Sequence, residues 1–130
     1  MQNDRPLILI VDDETKIRRL VARNLEDFGY DVVPAADGFK ALAYFEEKTS
    51  DLHPDLILMD VMMPEMNGHE AARQIRALPR KDAATVPILA MSANAYVEDI
   101  QASLDAGMNT HIIKPIDLNQ LIRTLRLYLS

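Results

Sequence analysis

Residues 54–68 read Pro-Asp-Leu-Ile-Leu-Met-Asp-Val-Met-Met-Pro-Glu-Met-Asn-Gly. Leu56 to Met59 is apolar at every position, so a strand over Asp55 to Asp60 has no solvent face and belongs in the middle of a parallel sheet covered on both sides. Pro64 and Gly68 supply the fixed and the permissive backbone positions for a sharp turn after it. The run delivers an acid, Asp60, at its carboxyl end.

Three further apolar runs share that design. Leu7 to Val11 ends in Asp12 and Asp13, Ile88 to Met91 ends in Ser92, and Ile112 to Ile113 ends in Lys114. Ligands of open α/β sheets bind outside the carboxyl ends of the strands, so an edge that gathers these side chains is where a site is expected. Three carboxylates, a hydroxyl and an ammonium suit metal-assisted phosphoryl chemistry.

Between the runs lie helical patterns, and the alternation reads as five repeats of strand then helix, a parallel sheet wrapped by crossover helices. Ile17, Leu20, Val21, Leu25 and Phe28 recur at helical spacing over about Glu14 to Phe28, with Lys16, Arg18, Arg19 and Arg23 facing elsewhere and Gly29 as the stop. A short second strand, Asp31 to Pro34, leads to Asp37, the N-cap of a helix carrying Ala41, Leu42 and Phe45, with Glu46, Glu47 and Lys48 as its solvated end. A third helix runs to about Leu78, Pro79 to Val86 reads as polar and irregular, and Pro87 opens the fourth strand. The fourth helix spans about Tyr96 to Ala106 before Gly107, and the fifth strand is Thr110 to Ile113. Asp117 with Gln120 resembles a capping box for a last helix whose buried stripe is Leu118, Leu121, Ile122, Leu125 and Leu129.

The bulk properties narrow the function. A chain of 130 residues fits one domain, 1–130, with no room for a second, and buries roughly two thirds of its unfolded surface. Its 14 basic and 20 acidic residues give a net charge of -6, which disfavours nucleic acid and anionic lipid. Cysteine is absent, which excludes disulfides and thiolate metal sites. The start Met1-Gln2-Asn3-Asp4-Arg5 has no signal-peptide core, and no apolar stretch approaches the roughly 18 residues that cross a bilayer, so a cytoplasmic protein without membrane insertion is expected.

Taken together, Val11-Asp12-Asp13, Met59-Asp60 with Met63-Pro64 and Asn67-Gly68, Ser92-Ala93 and Lys114-Pro115 closely resemble the receiver domains of two-component response regulators, over essentially the whole chain. Each motif alone is weak; their order and spacing are specific. The resemblance implies a flavodoxin-like, doubly wound five-stranded sheet in the order 2-1-3-4-5 with five helices. It also implies a phospho-acceptor rather than an enzyme, one that assists its own phosphorylation and dephosphorylation.

Converging carboxylates repel one another, and a hard divalent cation with oxygen ligands relieves them; magnesium, which keeps several waters, suits the site. The resemblance assigns the metal to Asp13, Asp60 and the backbone carbonyl of Met62, with Asp12 acting through water. It makes Asp60 the nucleophile that accepts the phosphoryl group, Lys114 the cation on its oxygens, and Ser92 the switch hydroxyl, with small Ala93 leaving space. It further suggests a cis bond from Lys114 to Pro115, and an output surface of fourth helix, fifth strand and last helix. Three residues before Lys114 the family most often has tyrosine or phenylalanine, whose rotamer couples to the switch hydroxyl, and here stands His111, a departure from that pattern. A satisfied histidine is the simpler reading, and a titrating one would add pH sensitivity. Met62 and Asn94 hold the positions that tune acyl-phosphate lifetime in the family.

His53 and His69 are assigned to loop and helix surface, and Met59, Met62, Met63 and Met66 to gap filling and turn packing. The expected partners are a histidine kinase or histidine phosphotransfer protein and a downstream protein target, with the chain a monomer or weak homodimer. The receiver of a hybrid histidine kinase and a phosphorylation-independent receiver-like scaffold are the alternatives. An aspartate-nucleophile phosphohydrolase needs a second aspartate two residues after the nucleophile, which Asp12-Asp13-Glu14 and Asp60-Val61-Met62 lack. A flavin-binding loop would not begin with three consecutive acids, Asp12 to Glu14.

Overall fold

The computed structural model describes residues 5–46, 53–94 and 96–129. The apolar runs form β1 (Leu7–Val11), β2 (Asp31–Ala35), β3 (Leu56–Asp60), β4 (Ile88–Ser92) and β5 (Thr110–Ile113), all parallel, in the order β2-β1-β3-β4-β5. Around this sheet run α1 (Thr15–Asp27), α2 (Gly38–Glu46), α3 (Gly68–Ala77), α4 (Lys81–Thr85), α5 (Val97–Asp105) and α6 (Leu118–Leu129). This is the doubly wound arrangement expected. Alternate strand residues supply its two cores, because successive side chains point to opposite faces. Leu9, Val11, Ile57, Met59 and Ala90 pack with Ala41, Phe45, Ala72 and Ile75 of α2 and α3. Ile8, Ile10, Leu58, Leu89 and Met91 pack with Val21, Leu25, Leu121 and Leu125 of α1 and α6. Every residue of β3 and β4 is buried, and each such Leu or Ile contributes about 1.5–3 kcal/mol of transfer free energy.

The predicted stops and caps have identifiable bonds. After α1, Gly29 (φ 97°) donates to the Glu26 carbonyl and Tyr30 to that of Leu25, the paired pattern that closes a helix on a left-handed glycine. Gly107 (φ 96°) does the same after α5, with Met108 donating to Ser103. Asp37 Oδ1 accepts from Lys40 N at 2.8 Å, and Asp117 Oδ1 from Asn119 N at 3.0 Å and Gln120 N at 3.3 Å.

Three expectations are corrected. The segment Pro79 to Val86 is not irregular, and the described residues hold six helices rather than five. The added α4 is a single short turn seated on buried Ala83, whose carbonyl accepts from Arg76 Nη1 at 3.1 Å; a tertiary clamp, not an apolar repeat, makes it. Leu20 and Phe28 lie 60% and 52% exposed, because the sheet covers only the α1 stripe of Val21 and Leu25. Arg18 does not face away: its Nη1 donates to the Asp12 carbonyl at 2.6 Å. Of the end expected over Glu46, Glu47 and Lys48, Glu46 closes α2, and Glu47 and Lys48 lie outside the described residues, as do the start Met1–Asp4 and Ser130. Among the described residues no helix is long and apolar enough to cross a membrane.

Candidate functional site

Strand register assembles the site. Val11 pairs with Met59, so Asp12 leaves β1 beside Asp60, and Asp60 itself pairs with Met91, one residue before Ser92. The ladder continues past the strand ends, Val61 N donating to Met91 at 2.9 Å and Lys114 N to Ser92 at 2.8 Å. One rim therefore carries all the predicted side chains. Gly68, which opens α3, lies so close to Asp60 that a Cβ there would press onto the Asp60 carbonyl. In the turn between them Glu65 adopts φ 67°, a left-handed conformation costing on the order of 1 kcal/mol for a residue with a side chain.

Asp12, Asp13 and Asp60 each present a carboxylate oxygen within 4.8 Å of the others. Lys114 Nζ lies 3.2 Å from Asp12 Oδ2, 3.2 Å from Asp60 Oδ1 and 3.9 Å from Glu14 Oε1. Asp12 and Asp60 are buried and Asp13 is exposed, so the cluster opens to solvent on one side. The remaining Asp12 oxygen accepts from Glu14 N at 2.9 Å. The Lys114-Pro115 peptide is cis, as expected.

The charges do not balance. Burial raises the Asp60 carboxyl most, the Asp12 charge adds to it, and Lys114 with the Met62 amide pulls back only in part, leaving Asp60 at about 6. Lys114 is the counterpart: burial works against its charge, but Asp60 and Asp12 more than offset this and hold it above its ordinary range. An all-oxygen donor set with one open side and excess negative charge fits a hard cation such as magnesium.

Ser92 is buried at the end of β4, and its Oγ accepts from Asn94 N at 3.1 Å, within its own loop. It caps no helix; Tyr96 occupies that position on α5. Met59, Met63 and Met66 fill the core as expected, whereas the Met62 side chain is 67% exposed and lies outside the core cluster. His111 is half-buried, its Nε2 2.9 Å from the Asn94 carbonyl and its Nδ1 3.1 Å from Ser103 Oγ. His69 is no free surface residue: its Nε2 lies 2.9 Å from the same Ser103 Oγ. Ser103 escaped the sequence reading, its one signal being a serine a turn after Ile100 on the inner side of α5. His53 is exposed as expected.

The family model for the response regulator receiver domain matches residues 8–126. The chain belongs to that family, the receiver domains of two-component signalling. Over 126 residues it is 38% identical to sensor histidine kinase RcsC of Escherichia coli (strain K12), a match covering 97% of this chain and 12% of RcsC. It spans between 12% and 49% of the length of the first curated relatives it matches. Among solved structures, chemotaxis protein CheY4 of Vibrio cholerae superposes with a TM-score of 0.85 at 33% identity, covering 96% of this chain and 99% of that one. The receiver domain of sensor histidine kinase PA1611 from Pseudomonas aeruginosa PAO1, with magnesium coordinated in its active-site cleft, gives 0.84 at 34% identity, covering 96% and 98%.

Proposed function

We propose that the chain accepts a phosphoryl group on Asp60 from a histidine kinase or a histidine phosphotransfer protein, with magnesium, and that the modification switches a protein-binding surface. The observation that carries this is the convergence of Asp12, Asp13 and Asp60 within 4.8 Å, with Lys114 Nζ 3.2 Å from two of them. Asp13, Asp60 and the Met62 carbonyl would hold the ion, Asp12 acting through water. When bound it neutralises charge on the phosphoryl oxygens. One Asp60 oxygen forms the bond to phosphorus, the phosphorus–nitrogen bond of the donor breaks, and the donor imidazole keeps that electron pair. At about 6, the Asp60 carboxyl is mostly ionised near neutral pH, so the attack needs no separate base. Lys114 sets its ammonium against the incoming oxygens.

Ser92 then exchanges its bond from the Asn94 amide for one donated to the phosphoryl group, and the loop and α5 follow as a two-state element. The surface of α5, β5 and α6, where Tyr96, Val97 and Ile113 are exposed, meets the downstream protein target. The chain is an acceptor rather than a turnover enzyme, a cytoplasmic monomer or weak homodimer, and its charge of -6 argues against nucleic acid as a partner. The likeness to RcsC and PA1611 favours a second reading, in which the domain relays phosphoryl groups inside a hybrid histidine kinase. Phosphotransfer profiling against kinases and phosphotransfer proteins separates the two.

Incubation with acetyl phosphate and magnesium should place one acid-labile phosphate on the protein. Asp60→Asn should take up none, and chelation should abolish uptake by the unaltered chain. Ser92→Ala should be labelled yet lose most of the phosphorylation-dependent gain in partner affinity. Persistent labelling of the Asp60 variant would overturn the assignment.

A further inference from the structure

Outside the acidic rim, one polar chain crosses the packed junction of α3, α5 and β5. It runs from His69 Nε2 to Ser103 Oγ (2.9 Å), on to His111 Nδ1 (3.1 Å), and from His111 Nε2 to the Asn94 carbonyl (2.9 Å). Ser103 is fully buried and both histidines are half-buried. A carbonyl oxygen only accepts, so His111 Nε2 must carry a proton. With that ring neutral, Nδ1 is an acceptor, Ser103 donates to it, and His69 Nε2 donates to Ser103.

One added proton can be accommodated without breaking any bond. His111, doubly protonated, donates to both Asn94 and Ser103; Ser103, having taken the Nε2 proton of His69 and given up its own, turns its hydroxyl to His69 Nε2; and His69 holds the added proton on Nδ1. A second proton would set two imidazolium groups donating to one buried hydroxyl, with like charges on either side of it.

We propose that His69, Ser103 and His111 form a one-proton relay that tightens the switch loop on acidification. The proton enters at His69, the hydroxyl passes it on, and the charge comes to rest on His111. There the bond to Asn94 becomes charge-assisted, about twice as strong as a neutral one. Asn94 is held to Ser92 by its own amide, so that pull keeps the loop where it now stands. The groups facing His69 are Arg73 on α3, Asp99 on α5 and His111 on β5. Burial first, then Arg73 and His111, hold it below the ordinary histidine range against the pull of Asp99, in keeping with refusal of a second proton. His111 faces Ser103, the Asn94 carbonyl and, through Ser103, His69.

The loop's role as a switch rests on the proposed function, but the relay is read out on unphosphorylated protein, so its failure leaves the Asp60 labelling result untouched. The measurement is nitrogen-15 NMR of the histidine rings, with the carbonyl carbon of Asn94, from about pH 8.5 to about pH 5. At the alkaline end both rings should be the Nε2–H tautomer. On acidification the pair should gain one proton in all, both rings and the Asn94 carbonyl moving with one shared midpoint. Ser103→Ala should split the rings into separate midpoints, each gaining its own proton. His69→Gln should leave the Asn94 response riding on His111 alone. An Nδ1–H tautomer at His111 in alkali, independent full protonation of both rings in the unaltered protein, or an Asn94 carbonyl that ignores pH would overturn the relay.

Discussion

At the carboxyl rim of the sheet Asp60 is pushed up to about 6, while beside the amino ends of β3 and β4 Asp82 is held below the ordinary carboxylate range. Burial raises both. At Asp82 the hydrogen bonds of His53 (3.0 Å) and Arg80 (2.6 Å) with the Arg80 charge more than cancel it, whereas at Asp60 the neighbouring Asp12 adds to it and one ammonium serves several acids. Two other acids at that end are likewise partnered: Arg5 Nε pairs with Asp31 at 2.9 Å and Asp55 accepts from Leu7 N at 2.7 Å. Among the described residues one rim finds its partners within the chain, and the other is left short of positive charge in the place where a cation would supply it.

The contrast breaks most visibly if that one ammonium is removed. Lys114→Met leaves Asp12 and Asp60 buried without a cation, and stripping one partner from a buried ion pair costs about 3 kcal/mol. The unfolding free energy from urea denaturation should fall by that amount near pH 7.5 in the absence of divalent ions. Lys114 is held above its ordinary range, so its charge is constant through neutral pH, and any pH dependence belongs to Asp60. The loss should shrink at about pH 5, where Asp60 takes up a proton, and again when magnesium is added, since ligand bound only by the folded state stabilises it. A loss that neither acid nor magnesium relieves would mean that Lys114 acts by packing.

Removing an acid from the same rim should have the opposite sign. The folded pKa of Asp60, about 6, lies above its ordinary 3.8, so the folded state binds more protons between those values and stability falls as pH rises through that window. The ionised carboxylate therefore opposes folding by about 3 kcal/mol above pH 6, the pull of Lys114 already included, and an amide that bonds Lys114 less well recovers part of it. Asp60→Asn should be more stable by about 2 kcal/mol near pH 7.5, the gain vanishing toward pH 4. The same denaturation curves at both pH values measure it, and an equal gain at each would remove charge as its cause.

How much of this was legible in the sequence follows from how local each feature is. Asp12, Asp13, Asp60, Ser92 and Lys114 sit at or just past the carboxyl ends of their strands, so reading where four apolar runs stop was enough to find the rim. Parallel register then brought them together without further information. The five-residue α4 is shorter than any apolar repeat and exists through Arg76, which also reaches the Gly107 carbonyl at 3.0 Å and Asn109 at 2.9 Å. The periodicity of α1 ran wider than the surface the sheet could cover, which left Leu20 and Phe28 outside. His69 meets Ser103 across 34 positions of sequence, a contact created by packing α3 against α5 that no local pattern announces.

The smallest effect tests the quiet side of the comparison. Asp82→Asn keeps one oxygen to accept from Arg80 and removes the charge together with the second of the two acceptors that Arg80 Nε and Nη2 now reach at 3.0 and 2.6 Å. Arg80 stays anchored by its bond to the Phe45 carbonyl at 2.8 Å and by its guanidinium 5.2 Å from the centre of the Phe45 ring. Because the pair is partly exposed, the screened charge is worth about 0.5 kcal/mol. The depressed pKa gives this contribution its sign: it is present above the ordinary 3.8 and lost as pH falls through the lower folded value. The variant should therefore be slightly less stable by the same amount from about pH 5 to about pH 8, and equal to the unaltered protein in stronger acid, the mirror image of Asp60→Asn. A stabilisation, or a loss of about 2 kcal/mol, in the urea midpoint would show that the amino rim is not neutralised pair by pair. The carboxyl rim's shortage of positive charge would then be no special property of the site.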